Sequence, residues 1–428
     1  MPRTLSEWLD WQETLHLSSI DLGLDRVRIA AENLDLLTLP FPVISVAGTN
    51  GKGSSTAMLQ SIYQQAGYKT GVYTSPHLLR YNERIALNGV PASDNAICGA
   101  FEQINQARGE TSLTYFEFGT LAAALLFVQE KIDIAIFEVG LGGRLDAVNL
   151  WDADIALITG IAIDHESWLG NNREDIAIEK AGIMRSGKPV VCGDQHPPTT
   201  IASEADRIGA HLLQRDIAFS LSHYKSPDNS EKWQWHDLQN NTSLTLPLPS
   251  LAGEFQLDNA ANVITIITQL QARVPVATQA IKKGLLTTVL AGRLQIIATK
   301  PEILVDVAHN PQAAQQLALY LHNQPHSGKN IALFSVLKDK DLQGIITPFK
   351  DIIDQWAILS IDSERGQSAE EIKSKLQKLG INNITIVSNN FKKAVQDVKN
   401  ALEYEDRVVA FGSFLLVSGV LGSLGSSK

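Results

Sequence analysis

Thr49-Asn50-Gly51-Lys52-Gly53-Ser54 is the stretch of this chain where reactive residue types are densest. It follows the apolar run Val43-Ile44-Ser45-Val46-Ala47 and opens a helical pattern of Ala57, Met58, Ile62 and Tyr63. A strand, a glycine turn and a helix start gather free backbone N–H groups at the positive end of a helix, which suits a polyphosphate. Lys52 adds a point charge for the β- and γ-phosphates, and Ser54 or Ser55 a hydroxyl for Mg²⁺. The spacing from Gly48 to Ser54 is shorter than in the usual phosphate loop, with Gly53 between lysine and serine. A turn without a ligand needs the glycines but not the lysine and hydroxyls. The reading is a nucleotide-phosphate site, with ATP foremost.

Other reactive groups fall at the ends of apolar runs. Ser75-Pro76-His77, with Asn82, Glu83 and Arg84 nearby, follows a short strand over 69–74. Glu138 closes the apolar run 132–139, where a carboxylate is placed like the Mg²⁺-binding acid beside a phosphate loop. The glycines after it, Gly140, Gly142 and Gly143, superficially match a dinucleotide fingerprint. Leu145 stands where the third glycine belongs, and that reading is rejected. His165, between Asp164 and Glu166, ends the strand predicted over 155–161. Lys180, on a helix predicted over 173–183, reads on its own as a solvated face. Thr114-Tyr115-Phe116-Glu117 precedes an apolar helix over 121–128, and is either core with a capping carboxylate or an aromatic slot for a flat ring. Residues 18–24 interrupt the helical pattern of 5–40 and read as a capping loop, with Ser19 or Asp21 as N-cap. Asp258, Asn259 and Asn262 cap a helix or contact a nucleotide base.

The elements that position these groups alternate strand and helix, the signature of a parallel sheet covered on both faces. The pattern restarts after Gly292-Arg293, giving domains over 1–291 and 292–428, the second a small doubly wound sheet. Asp306 and His309 follow its first strand, where ligands of such sheets bind. Residues 224–245 are polar and read as a hairpin or an irregular insertion. At 428 residues the chain exceeds one ordinary core. Its 44% apolar and 19% charged residues are those of a folded enzyme. A net charge of −10 with no basic stripe argues against a nucleic-acid partner. Cys98 and Cys192 lack metal-site spacing and are expected to be buried thiols of a reducing compartment. No leader-like segment and no bilayer-length apolar run is evident, so no membrane role is expected and the location is taken as cytoplasmic. The tail from Gly422 is rich in Gly and Ser.

In this order the motifs resemble the Mur ligase superfamily of ATP-dependent amide ligases, and within it the bacterial bifunctional dihydrofolate synthase/folylpolyglutamate synthase family. The resemblance rests on residues 47–54, 74–78 with 82–84, 138–149, 162–165, 179–183, 292–293 and 306–311, and is weakest over 195–250 and 340–405. It implies a P-loop-type, mostly parallel α/β domain like the Mur central domain, plus a smaller C-terminal Rossmann-like domain that binds glutamate and closes over ATP. It implies transfer of the γ-phosphate of ATP to a pteroate carboxylate, then attack on that acyl phosphate by L-glutamate. Substrates are then dihydropteroate and reduced folates; cofactors are ATP, Mg²⁺ at two sites and, optionally, a monovalent cation; the chain acts as a monomer. Thr49, Asn50, Gly51, Lys52, Gly53 and Ser54 match the family's ATP loop. Asn259, Arg293 and Asp306, with His309, match its remaining nucleotide positions. Ser75, Glu138 and His165 fall on its Mg²⁺ ligands, beside Ser54, and Lys180 on a carbamylated lysine that holds the second ion. Lys52, His165, Lys180 and Arg293 are the implied catalytic set. Pterin contacts are implied for Ile20, Asp21 and Leu22, for Thr114, Tyr115, Phe116 and Glu117, and for Leu145, Asp146 and Ala147. Alternatives are a folylpolyglutamate synthase alone, a cell-wall precursor ligase, or a nucleotide-binding regulator without chemistry.

Overall fold

The computed structural model describes residues 3–16, 18, 20–225, 231–324 and 326–425. Ser19, named above as a possible N-cap, and the last three residues of the Gly/Ser tail lie outside them. The chain forms two compact units: residues 1–250 with 256–289, and residues 251–255 with 290–428.

The first unit is built on a sheet in the order β4-β3-β2-β5-β1-β6-β7-β8. Its strands are β1 (Val43–Ala47), β2 (Thr70–Tyr73), β3 (Ile85–Leu87), β4 (Val90–Pro91), β5 (Ile134–Glu138), β6 (Ile155–Ile158), β7 (Pro189–Cys192) and β8 (His211–Gln214). All neighbours pair in parallel except the β2-β3-β4 edge. Every residue of β1 and β5 is buried, which is why both read as continuous apolar runs rather than alternating ones. The helix Tyr115–Gln129 is apolar on nearly all sides and lies in the core. It begins at Tyr115, six residues before the start expected from its apolar run.

The polar stretch falls in a regular antiparallel sheet of β9 (Phe219–Lys225), β10 (Glu231–Asp237) and β11 (Thr242–Pro247). Alternation along β10 buries Trp233 and Trp235 on one face.

The second unit carries β12 (Gln295–Thr299), β13 (Glu302–Val305), β14 (Asn330–Phe334), β15 (Gln355–Ile358), β16 (Ile384–Ile386) and β17 (Arg407–Phe411), in the order β12-β13-β17-β14-β15-β16. Five of these strands are parallel, as expected, but β12 is an antiparallel edge. Its residues are only half-buried, so it lacks the apolar run that announces an inner strand. The apolar stretch after Phe411 is the helix Phe414–Gly425. Among the described residues no helix is long and apolar enough to cross a membrane. Cys192 is buried as expected, whereas Cys98 is partly exposed.

Candidate active site

The four inner strands β2, β5, β1 and β6 end together at one edge of the first unit. Val46 pairs with Glu138, Ala47 with Ile158 and Tyr73 with Phe137. The phosphate-type loop, Ser75, Glu138 and the segment leading to His165 therefore all leave the sheet at its carboxyl end, where open α/β sheets bind ligands.

Residues 48–51 form the loop, and the helix Lys52–Gln65 starts directly after it. Gly48 (φ 146°) and Gly51 (φ 92°) adopt left-handed backbone conformations. A Cβ at Gly48 would strike the Thr159 hydroxyl, and one at Gly51 the Asn259 side chain, so both positions demand glycine. Lys52 Nζ donates to the carbonyls of Gly48 (2.8 Å) and Thr49 (3.2 Å), folding back over the loop. The loop is also pinned to the segment after β6. Thr49 N donates to Gly160 O at 2.7 Å, and Thr49 Oγ1 exchanges hydrogen bonds with the Ala162 backbone at 3.0 Å. Thr159 Oγ1 donates to Asn50 O at 2.6 Å. From the helix Phe255–Gln269, Gln256 Nε2 donates to the buried Ser54 hydroxyl at 3.2 Å and Asn259 donates to Gln256 at 2.9 Å. Asn259 thus lies one helical turn inside its helix, against Gly51, and does not cap it.

Glu138 is buried at the end of β5. The loop after it is organised by Asp146, whose Oδ2 accepts from the N–H groups of Gly140 (3.0 Å) and Leu141 (2.9 Å) and whose Oδ1 accepts from Val148 (3.0 Å). Burial pushes the Asp146 carboxyl up to about 6, against the pull of these N–H groups and of Lys52. The same loop is laid onto the helix Arg173–Ala181: Arg144 N donates to Glu179 O at 2.8 Å, and Gly143 packs against the backbone of Glu179 and Lys180.

That cover buries Lys180 to 3% exposure, so the lysine is not on a solvated face. Burial, then the neighbouring charge of Lys52, lowers its amine to about 7, opposed by Asp164. His165 sits at φ 55°, ψ 41°, a left-handed conformation uncommon for a residue with a Cβ. Such outliers concentrate at functional positions.

Among the described residues no cluster of three or more His, Cys, Asp or Glu side chains could by itself hold a metal. Mg²⁺ does not require one. It binds through one or two carboxylates and substrate phosphates while keeping several waters. A buried carboxylate, an imidazole, hydroxyls and an amine that ionises near neutrality fit such an ion at a phosphate site.

The implied pterin segments are linked by residues that sequence reasoning did not single out. Arg26 Nη1 pairs with Asp21 Oδ2 at 2.8 Å and Arg26 Nη2 with Glu117 Oε1 at 3.2 Å. His16 bridges Asp21 (3.0 Å) and Ser112 (2.8 Å). Asp21 is therefore an ion-pair partner and not the N-cap expected above; the helix Asp25–Asn33 starts without a side-chain cap. Thr114 and Glu117 form a capping box for their helix, which is the capping alternative. The rings beside them remain partly open: Arg84 lies 5.3 Å from the Tyr115 ring centre, and Phe116 packs on Tyr73 and beside Gly140. Ala147 starts a buried 3₁₀ turn capped by Asp146. Ile20 and Leu22 are half-buried.

In the second unit, Asp306 follows β13 and accepts from Leu294 N (2.8 Å) and Ala308 N (2.7 Å). Burial raises its carboxyl, with Arg293 pulling the other way. His309 packs 5.6 Å from the ring of Phe414, and the Arg293 guanidinium lies 5.7 Å from the same ring. Phe414 was hidden in the sequence by the apolar run that follows it.

A phosphate loop at the centre of a mostly parallel sheet, followed by a second small α/β unit, defines a Mur-type ATP-dependent ligase. The Mur ligase middle domain family matches residues 46–267 and the Mur ligase, glutamate ligase domain family residues 292–414. The dihydrofolate synthase/folylpolyglutamate synthase of Escherichia coli (strain K12) is 42% identical over 420 residues, which cover 97% of this chain and 94% of that protein. Among solved structures, Escherichia coli FolC in complex with DHPP and ADP has a TM-score of 0.90 at 41% identity, over 99% of this chain and 98% of that one. A bifunctional folylpolyglutamate synthase/dihydrofolate synthase with Mn, AMPPNP and L-glutamate bound has a TM-score of 0.89 at 40% identity over the same shares. The chain belongs to the dihydrofolate synthase/folylpolyglutamate synthase family of Mur ligases.

Proposed function

We propose that this protein adds L-glutamate to dihydropteroate, forming dihydrofolate, and to reduced folates, forming folylpolyglutamates, as a cytoplasmic monomer. A carboxylate oxygen of the pteroate attacks the γ-phosphorus of ATP, and the bond to the bridging oxygen breaks with ADP as leaving group. The glutamate amine then attacks the acyl carbon, sheds a proton and expels phosphate, leaving an amide. Both steps crowd anions together, so catalysis is chiefly alignment and charge neutralisation. Thr49 to Ser54 cradle the phosphates, with Lys52 as the mobile cation. Asn259, Arg293, Asp306 and His309 serve the rest of the nucleotide, Arg293 joining Lys52 in neutralising the transferred phosphate, and residues 292–428 bring glutamate.

Ser54, Ser75, Glu138, His165 and a carbamate on Lys180 would hold Mg²⁺ at two sites, the carbamate at the second, and the ions would supply positive charge to the phosphate oxygens. The observation that most supports this reading is the lowered amine of Lys180, because only a neutral amine adds CO₂. Ile20, Asp21, Leu22, Thr114 to Glu117 and Leu145 to Ala147 line the pterin end, with Arg26 holding Asp21 and Glu117 together.

The test is mass analysis of products from dihydropteroate, and separately from a reduced folate, each with ATP, Mg²⁺ and glutamate. The expected result is a product heavier by one glutamyl residue from the first and a ladder from the second. ATP binding without any glutamylated product would overturn the reading. Product from the reduced folate alone would restrict it to the polyglutamylating half.

A further inference from the structure

Ile161 lies between the strand β6 and His165, and its N–H and its carbonyl are both held by one half-buried ion pair. Its N–H donates to Asp194 Oδ2 at 2.7 Å, and its carbonyl accepts from Arg173 Nε at 2.7 Å. Arg173 Nη2 closes the pair on the same Asp194 oxygen at 2.9 Å and donates to His196 O at 2.9 Å. The other oxygen of Asp194 accepts from His196 N at 2.9 Å. Asp194 is 8% exposed. The Arg173 side chain is 39% exposed, so it is the carboxylate end of the pair that lies away from bulk water. There its charge-assisted bonds to Arg173 and to the Ile161 and His196 N–H groups are strengthened and a lost partner is costly.

Arg173 is also the first residue of the helix that carries Lys180. Seven residues are close to two full turns, so Arg173 and Lys180 project from the same side of that helix. A cation at a helix N-terminus opposes the helix dipole, so its placement there needs another reason. The opposite side of the segment is fixed to the phosphate loop through Gly160 and Ala162. The segment carrying His165 is thus suspended between two anchors, the phosphate loop and the start of the Lys180 helix.

We infer that Arg173 and Asp194 are positioning residues that hold the 160–165 segment in register with the Lys180 helix. They set the geometry in which His165 and Lys180 meet a divalent ion. This rests on the reading of His165 and Lys180 as metal-binding residues given above.

The experiment measures Mn²⁺ affinity in the presence of a non-hydrolysable ATP analogue, together with amide hydrogen exchange over residues 159–165 in the ligand-free protein. The variants are Arg173→Ala, Arg173→Lys, Asp194→Asn and the double variant Arg173→Ala with Asp194→Asn, beside His165→Ala and Lys180→Ala. Arg173→Ala should weaken Mn²⁺ roughly ten- to a hundredfold, the usual effect of removing a residue that orients a metal ligand. Exchange at Ile161 should accelerate, Arg173→Lys should recover part of both effects, and the double variant should be no worse than the worse single one.

Unchanged affinity and exchange in a folded Arg173→Ala protein would overturn the inference. If Arg173→Ala does not fold, Arg173→Lys and Asp194→Asn are read by the same two criteria. If His165→Ala and Lys180→Ala leave Mn²⁺ binding intact, the metal reading itself fails and takes the inference with it. If they weaken it and the Arg173 variants do not, the positioning role alone is refuted.

Discussion

Both units end a parallel strand in a loop built around a buried aspartate, yet the two loops handle positive charge differently. In the first, Asp146 accepts three backbone N–H groups, and the loop it organises lies against the helix that bears a buried amine, Lys180, lowered to about 7. In the second, Asp306 accepts two backbone N–H groups and the nearby cation is a guanidinium, Arg293, stacked by Phe414. A guanidinium stays charged in any such environment, whereas a buried amine changes state. On the proposed reading, the amine beside the first loop acquires a new functional group, and the guanidinium beside the second meets a fixed anion. The contrast sets a convertible group against a fixed charge within one chain.

The largest break in that contrast comes from Lys180→Ala. Turnover should fall by about a thousandfold, the upper range for a group acting on developing charge. Short carboxylic acids should restore part of it by occupying the place of the carbamate, as read by phosphate release. Full activity in this variant would remove the reactive amine from the account. Next, Lys52→Ala should lower the chemical step by about a hundredfold with a smaller effect on melting temperature, since water can replace its two bonds to the part-buried loop carbonyls. A collapse of the melting temperature would make Lys52 structural.

On the other side, Arg293→Lys keeps the charge but loses the planar group over Phe414. KM for ATP should rise about tenfold with kcat less affected, because fixed-anion recognition is what is lost. A loss confined to kcat, with KM unchanged, would take Arg293 out of nucleotide recognition and dissolve the distinction.

The smallest effect is on stability. The amine of Lys180 ionises at about 7 when folded and near 10.4 when unfolded. The unfolded chain thus binds more protons between these values, and stability rises with pH across that window. In bicarbonate-free buffer Lys180→Met should melt several degrees above the parent at pH 7, with the advantage shrinking toward pH 10. A difference independent of pH would contradict the lowered amine.

The inner strands of the sheet were legible because parallel strands covered on both faces are continuous apolar runs, and the phosphate loop because glycines, a lysine and hydroxyls crowd into six residues; the strand order was not. Lys180 was legible only by resemblance. Its residue type and helical setting point to solvent, and its burial comes from the 140–146 loop laid over it, a long-range contact with no local signal. The same applies to Arg26 with Glu117, which are 91 residues apart, and to Arg173 with Asp194. One clue was available: an arginine opening a helix runs against the dipole. Asp21 misled for the converse reason, since its type suits a cap but Arg26 and His16 claim its carboxylate. β12 was missed because a half-buried edge leaves no apolar run.

The central claim is that an acid, an imidazole and a carbamylated lysine gather on a divalent ion beside the phosphate loop. Anomalous diffraction at the manganese edge, from crystals grown with Mn²⁺, bicarbonate and a non-hydrolysable ATP analogue, tests it most directly. The expected map shows manganese next to the γ-phosphate at two sites, with Glu138, His165 and extra density on Lys180 Nζ among the ligands. A peak at the phosphates with those three side chains turned away, or an unmodified Lys180, would contradict it.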